Sequence, residues 1–586
     1  MCFLLTAYLL RGLYLQPSML AKRGWLLLFL SIAAFYLWGL GSLPLVGPDE
    51  PRYAEVAREM FARRDLITPT LGGLPWFEKP PLLYWLMVAS YRVIGVTEYA
   101  ARLGPAICGL LTAGFVYWIG RAVETAGLTN DSARAVASAN EEQRRDGLRR
   151  YSALVWLTSL GAMVFSRGAS FDIVVTMTVS GALVCFFVWH VRYNGQREHT
   201  NSTDGPTSNT KHRWLLIGFY LFIGVSLLAK GLIGIVIPFG VLLVYYLVRH
   251  ERPSGKFLKS LSWGVPLATA VAAVWFGPML ARHGWKFIDE FIVQHHFARF
   301  VTDKYHHPAP FYFYLLVLVA LALPWTIFLL ASFFSSRRWH WRGQTPLDRL
   351  RVFTFCWIAV PVVFFSISES KLTAYILPVL PAAALLVAER ITCFLNARRG
   401  DLVLRSTGVL LVGLGAVGGW YMAHRSSLSP TLSAISMSPP IITGAAAIVR
   451  PQLRKALVIL IPMSLLVTSA IGVSRVAPLL ARRESVRDVL AVASARGYGA
   501  VPVVQLHTIE RTAEFYAAGR MMYEPNGEPV KLEGVAQVAD AARRNGGLIL
   551  CFVPREFEAQ LTSYQNIQTE PIANNGRVSL MLVRLK

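Results

Sequence analysis

The sequence predicts a polytopic α-helical membrane protein with a small soluble α/β domain at its C-terminal end. Three observations predict it. The 586 residues are 54% hydrophobic and 16% charged, against about 25% charged in soluble domains. Apolar runs long enough to cross a bilayer recur between residues 25 and 473, about thirteen in all. Beyond residue 475 they give way to short β-rich stretches alternating with helical ones. The domains expected are an N-terminal extension (1–24), a transmembrane domain (25–474) carrying a first outer loop (46–101), and the α/β domain (475–586). A start at Met19 would give a first helix flanked by Lys22 and Arg23, which reads as a signal anchor.

The spans follow in order: 25–45, 102–120, 151–166, 173–191, 214–229, 231–248, 261–280, 311–334, 352–367, 374–388, 407–423, 440–449 and 456–473. The run 82–95 is shorter and reads as re-entrant or interfacial. The formal charge of +24 could indicate nucleic acid, but the 58 Lys and Arg gather in short loops between apolar runs. Alternate loops are rich in them, so the positive-inside rule accounts for the charge and nucleic acid is excluded as a partner. Such loops also suit anionic lipid headgroups. The rule puts the N-terminus in the cytoplasm; an odd number of spans then puts the C-terminus outside. In the soluble part, 501–505, 548–553 and 578–583 read as strands, and 484–495 and 535–544 as helices. No nucleotide-binding glycine motif or metal-ligand spacing occurs there, and the six cysteines form no CxxC. A structural or regulatory cap is the default reading of that domain.

The first outer loop holds the most chemistry. VGPDEPRYAEVAREMF opens it with Asp49-Glu50, and WFEKPP closes it with Glu78-Lys79. Between them Tyr53, Val56, Ala57, Met60 and Phe61 repeat at helical spacing, with Arg52, Glu55, Arg58 and Glu59 opposite. Such a helix is expected on the membrane surface. Trp76, Tyr84 and Trp85 read as an interfacial aromatic belt. The outer face also collects Asp172, Lys230, His295, His296, Asp303, His306, His307, Lys371 and Tyr375. Basic residues there could bind a lipid-linked phosphate, and acids with histidines could hold a divalent ion. Blander readings compete. Asp49 and Asp172 could cap helices, Glu78-Lys79 could be a solvated ion pair, Lys230 and Lys371 could snorkel, and the histidines could simply be exposed.

At these residues the chain resembles the aminoarabinose transferases of Gram-negative bacteria, membrane glycosyltransferases of the GT-C class related to protein O-mannosyltransferases. The resemblance rests on GPDEPRYAEVAREMF and WFEKPPLLYW, and then on SFDI (Asp172), LLAKGLIGIVIP (Lys230), HFARFVTDKYHHPAPFYFY (His296, His307), LPW (323–325) and FFSISESKLTAYILP (Lys371, Tyr375). It covers about residues 24 to 390. It implies a GT-C fold and transfer of 4-amino-4-deoxy-L-arabinose from undecaprenyl phosphate to lipid A phosphates at the periplasmic face of the bacterial inner membrane. Such transfer lowers the affinity of polymyxin and other cationic peptides. The lipid-linked donor makes a nucleotide cofactor unnecessary, and the protein is expected to act as a monomer. The resemblance implies Asp49 and Asp172 as catalytic residues. It implies Arg52, Tyr53, Lys79, Lys230, Lys371 and Tyr375 as substrate contacts, and Glu78, His296 and His307 as ligands of a divalent metal. A GT-C enzyme with a protein acceptor and a transporter of polyprenyl-linked sugars are the alternatives. A transporter should place its polar residues near mid-membrane, on broken helices or repeats.

Overall fold

The computed structural model describes residues 20–126, 147–199, 212–298, 309–396, 401–425, 428–525 and 527–586. Most of the expected N-terminal extension lies outside them. Two compact units form. The first comprises Met1–Trp38, Pro105–Arg167 and Phe171–Ala470; the second comprises Gly39–Gly104, Gly168–Ser170 and Ile471–Lys586. The outer loop expected within the transmembrane domain therefore groups with the C-terminal residues.

The first unit is the membrane unit. Among the described residues nine helices are long and apolar enough to cross a bilayer. The other four expected spans are present in shorter or broken form. The first and the sixth are the short apolar helices Arg23–Leu37 and Ile233–Arg249. The third breaks into Leu148–Thr158 and Leu160–Ser166, where Ser159 takes an extended conformation (ψ 139°). The eighth breaks into Phe313–Leu321 and Thr326–Ser335, because Pro324 can offer no N–H to continue the ladder. The two breaks pair with each other: Leu160 N–H donates to the Leu323 carbonyl at 2.8 Å, and Trp325 Nε1 donates to Thr158 Oγ1 at 3.0 Å. Backbone freed in an apolar surrounding is thus satisfied by protein.

Helix starts in this unit follow the capping rule. Ser254, Thr345 and Ser429 accept from the N–H groups of Phe257, Asp348 and Leu432, satisfying donors that the helix itself leaves open. At one end a polar cluster is fully tied. Arg249 donates to Glu251 at 2.7 and 3.1 Å and to the Gly343 carbonyl at 2.9 Å, and Arg349 donates to Glu251 at 3.1 Å.

The second unit contains a five-stranded sheet. Its strands are β3 (Val503–Leu506), β4 (Lys531–Leu532), β5 (Leu548–Pro554), β6 (Ile567–Asn574) and β7 (Val578–Leu585), in the order β4-β3-β5-β7-β6. β3 runs parallel to β4 and β5, whereas β7 is antiparallel to β5 and β6. Side chains alternate across it: Val503, Leu550, Phe552, Leu580 and Leu582 enter one core, and Val504, Ile549, Cys551, Met581 and Val583 the other. Helices Arg487–Ala493 and Thr512–Tyr516 contribute to the first core, and Val535–Arg544 to the second. This is the α/β domain expected, with elements the hydrophobic pattern hid, among them β4, β6 and Thr512–Tyr516. β6 is a polar edge strand with a register shift at Pro571, and Thr512–Tyr516 is a single short turn of helix.

The outer loop supplies the rest of this unit: helix Asp49–Arg63, the hairpin of β1 (Thr70–Leu71) and β2 (Leu74–Pro75), and helix Leu82–Ile94. The hairpin turn is held by Glu59, whose carboxylate accepts from Gly72 N–H at 2.6 Å and Gly73 N–H at 3.1 Å. Gly72 sits at φ +61°, and a Cβ there would lie 2.2 Å from the Tyr523 ring. A side chain is therefore excluded twice, by conformation and by space.

The exposed polar face expected for Asp49–Arg63 is covered instead. Glu55 is 1% exposed and is bonded by Arg58, and Thr512–Tyr516 packs on the helix. Amphipathic periodicity identified the helix but could not report that a domain some 450 residues later would bury its charged side. Of the expected aromatic belt, Tyr84 is corrected to a core residue, and Trp76 and Trp85 are half-exposed. Tyr84 is buried edge-on against Tyr53 (6.4 Å), Trp76 lies beneath Arg52, and Trp85 Nε1 donates to the Leu66 carbonyl at 2.8 Å.

Candidate functional site

Two polar groups gather the expected site residues, one in each unit. In the second unit helix Asp49–Arg63 and the segment before Pro80-Pro81 bring Arg52, Glu78 and Lys79 together. Glu78 lies 3.0 Å from Lys79 Nζ and 3.9 Å from Arg52 Nη1. Arg52 is 3.7 Å from Glu514, and its guanidinium stands 5.4 Å over the Trp76 ring. All four charged side chains are 15% exposed or less. Burial alone would lower the Arg52 pKa, but Glu514 and Glu78 more than offset it and raise it. Burial likewise pushes the Glu514 carboxyl up, with Arg52 and Arg511 opposing.

The Arg52 contacts are ion-pair contacts rather than hydrogen bonds. Nε is buried with no hydrogen-bond acceptor among the described residues. A guanidinium has five N–H donors in a planar fork suited to phosphate, and here they are largely unspent. Tyr53, one residue on, is buried against Tyr84.

Asp49 opens the same helix. The N-cap position belongs to Pro48 and carries no side-chain cap, so Asp49 is not the cap. It lies inside the first turn, where the helix dipole favours an anion. Its carboxylate is exposed and makes no hydrogen bond or ion pair among the described residues. Its neighbour Glu50 is different. It accepts from Arg102 at 2.7 and 3.0 Å, from Ala169 N–H at 2.7 Å and from Val46 N–H at 3.2 Å. Burial would raise the Glu50 pKa, yet Arg102 and these N–H groups hold it below the ordinary value. Of the acidic pair Asp49-Glu50, one member is available and the other is built into the scaffold.

In the membrane unit Asp172 begins helix Phe171–His199, Lys230 ends helix Arg213–Lys230, and Tyr375 lies in the 3₁₀ turn Thr373–Val379. Lys230 Nζ donates to Asp172 and sits 4.6 Å from the Tyr375 ring centroid. Lys371 does not join them; its Nζ donates to the Ser368 carbonyl at 2.7 Å. Asp172 lies in the first turn of its helix, paired with a lysine.

Of the three expected metal ligands, Glu78 alone has its side chain among the described residues. No three His, Cys, Asp or Glu side chains among them converge, and two cations already face the Glu78 carboxylate. Asp303, His306, His307 and the side chains of His295 and His296 lie outside the described residues. Sequence reasoning missed Glu514 and Arg102. Glu514 lies on a helical turn too short to show periodicity. Arg102 opens a membrane span, where its positive charge reads as topology.

Comparison with known proteins agrees with this architecture. Residues 6–129 match the family described as dolichyl-phosphate-mannose-protein mannosyltransferase. Relatives named undecaprenyl phosphate-α-4-amino-4-deoxy-L-arabinose arabinosyl transferase include those of Yersinia enterocolitica (29% identical over 68% of this chain and 67% of the relative) and Pectobacterium carotovorum (31%, over 69% and 65%). The alignments thus take in about two thirds of those relatives' length. The fold is that of ArnT from Cupriavidus metallidurans, solved bound to undecaprenyl phosphate, with a TM-score of 0.74 at 22% identity over 96% of this chain and 98% of that one. The chain is therefore similar in sequence to the aminoarabinosyl transferases and shares the fold of ArnT.

Proposed function

We propose that the protein transfers 4-amino-4-deoxy-L-arabinose from undecaprenyl phosphate to phosphate groups of lipid A, at the periplasmic face of the bacterial inner membrane. The observation that carries this reading is Arg52, half-buried with a buried, unbonded Nε, beside Lys79 and Glu78. Names of the relatives and the bound lipid of the solved structure supply the donor. In the reaction an oxygen of the acceptor phosphate forms the new bond to the sugar's anomeric carbon. The bond from that carbon to the donor phosphate oxygen breaks, and its electrons leave with undecaprenyl phosphate. Negative charge grows on the departing phosphate, where Arg52 and Lys79 stabilise it. Glu78 holds both cations in place. Asp49, free and exposed, balances positive charge on the sugar ring or its ammonium. An acceptor phosphate is largely ionised at neutral pH, so no base is required to activate it. Lys230, Lys371 and Tyr375 are assigned to substrate binding by the family pattern, and Asp172 to the catalytic set beside Asp49. No step is routed through a metal, since Glu78 is the one expected ligand whose side chain is described.

The test uses a bacterial strain lacking its own aminoarabinose transferase, complemented with this chain or its Asp49→Ala variant at matched membrane expression. Wild type is expected to add the aminoarabinose mass to lipid A and restore survival in polymyxin; Asp49→Ala is expected to lose both. Unmodified lipid A with wild type well expressed overturns the acceptor. The match of residues 6–129 to the mannosyltransferase family makes protein glycosylation the second reading, read in the same cells by mass spectrometry of membrane proteins.

A further inference from the structure

The C-terminal domain gave no chemical motif in the sequence, yet it places a charged residue beside Arg52. Glu514 lies on the turn Thr512–Tyr516, and its side chain is wholly buried. Its Oε2 and Arg52 Nε are 3.7 Å apart, and each is buried without a hydrogen bond. Two unsatisfied partners of opposite charge facing each other at this distance are unusual, because each forfeits hydration without gaining a full bond. The other oxygen of Glu514 is taken by Arg511 at 3.0 Å, and Arg511 is also tied to Glu528. Glu514 is therefore fixed from its own domain's side, while Arg52 is left one carboxylate to lean on at each end: Glu514 at Nε and Glu78 at Nη1.

The turn itself is anchored by an independent contact. The Tyr516 hydroxyl accepts from Leu45 N–H at 2.7 Å and donates to Glu98 at 3.0 Å. Thr512 Oγ1 accepts from Val486 N–H at 3.1 Å. A five-residue helix of such small area gains little from packing alone; these bonds fix where Glu514 stands.

We propose that Glu514 is a positioning residue for Arg52, so that the phosphate-binding part of the site is completed by the C-terminal domain. By attracting Nε, Glu514 sets the plane of the guanidinium fork, leaving its remaining donors directed to an incoming lipid phosphate. Glu514 does not touch substrate; it acts through Arg52. The proposal rests on the reading of Arg52 as a phosphate contact.

The experiment is a double-mutant cycle on the purified full-length chain in lipid nanodiscs, with Arg52→Gln, Glu514→Gln and both together. Turnover is measured with undecaprenyl phosphate-linked aminoarabinose as donor and lipid A as acceptor. Glu514→Gln is expected to raise the donor KM about tenfold and leave the acceptor KM unchanged. A folding defect would instead lower the active fraction and leave both KM values alone. The double variant is expected to match Arg52→Gln. Losses that add, or a donor KM unchanged in Glu514→Gln, overturn the proposal. Should Glu514→Gln fail to fold, Glu514→Asp, which keeps the charge but draws it back, is expected to raise the donor KM by a smaller factor; an unchanged KM overturns the proposal. Should wild type transfer no sugar, the proposed function fails by itself. The cycle is then read in the Kd for undecaprenyl phosphate, where coupling between the two positions sustains the positioning role and its absence ends it.

Discussion

Arg102 and Arg52 belong to the same unit, and both are largely withdrawn from water beside carboxylates, yet they are used in opposite ways. Arg102 is saturated. It donates to Glu50 twice and to the carbonyls of Leu40, Leu43 and Pro44, all at 2.7–3.0 Å. Arg52 meets its two carboxylates at 3.7 and 3.9 Å and leaves Nε without an acceptor. The first arrangement recovers the cost of burying a charge within the protein itself. The second leaves part of that cost outstanding, which under the proposed function an anion's arrival would recover. Saturation, rather than charge or burial, separates the scaffold arginine from the site arginine. By the same criterion Arg249, with its donors engaged, is scaffold.

The comparison can be broken most forcefully at Arg102. Arg102→Leu strands Glu50 and three carbonyls, and removing one partner of a buried pair costs about 3–5 kcal/mol. Thermal melting should show the loss, along with poor recovery of folded protein. Arg52→Gln should do the reverse. Its melting temperature stays close to wild type, while kcat/KM for the donor falls about 100-fold, on the scale of losing one charge-stabilising donor. If the two variants behave alike, saturation does not distinguish them.

pH offers a finer cut. Burial pushes the Glu55 carboxyl up to about 7, with Arg58 opposing, whereas Glu50 is held below the ordinary value. Glu55 therefore binds its proton more tightly in the folded state. Its contribution is fully present below the ordinary carboxylate range and is lost as pH rises through about 7. For Glu50 the contribution is present above that range and is lost as pH falls. In melting curves, Glu55→Gln should gain on wild type above pH 7, and Glu50→Gln should lose most at neutral pH and least in acid. The smallest effect is expected from a chelator: Glu78 already faces Lys79 and Arg52, so turnover in EDTA should stay within about twofold of the untreated protein.

Most of the membrane architecture was legible because lipid imposes a length and a polarity on each span. Where spans were broken, at Ser159 and near Pro324, the apolar run continued through the break, and hydropathy cannot register a change of direction. The outer loop was legible for another reason: acids and lysines between apolar runs are costly enough to stand out. What could not be read was which of them would be saturated. Asp49 and Glu50 are adjacent and chemically alike. Their separation into a free carboxylate and a fully bonded one depends on Arg102 and on the Ala169 N–H, brought from distant parts of the chain. Glu514 was hidden for the same reason, since nothing near it in sequence suggests a site.

The Gly72 turn against Tyr523 carries a consequence for how the protein is made. Ribosomes deliver residues 39–104 early and 471–586 last, but the structure places them in one unit. During synthesis, Glu55, Glu59 and Arg52 have to wait in water while hundreds of membrane-inserting residues pass, and the hairpin has nothing to close upon. Only a finished chain acquires the ring that Gly72 makes room for. A chain ended before Tyr523 has no ring for Gly72 to meet, so closure of the outer loop reports that the last hundred or so residues have been made.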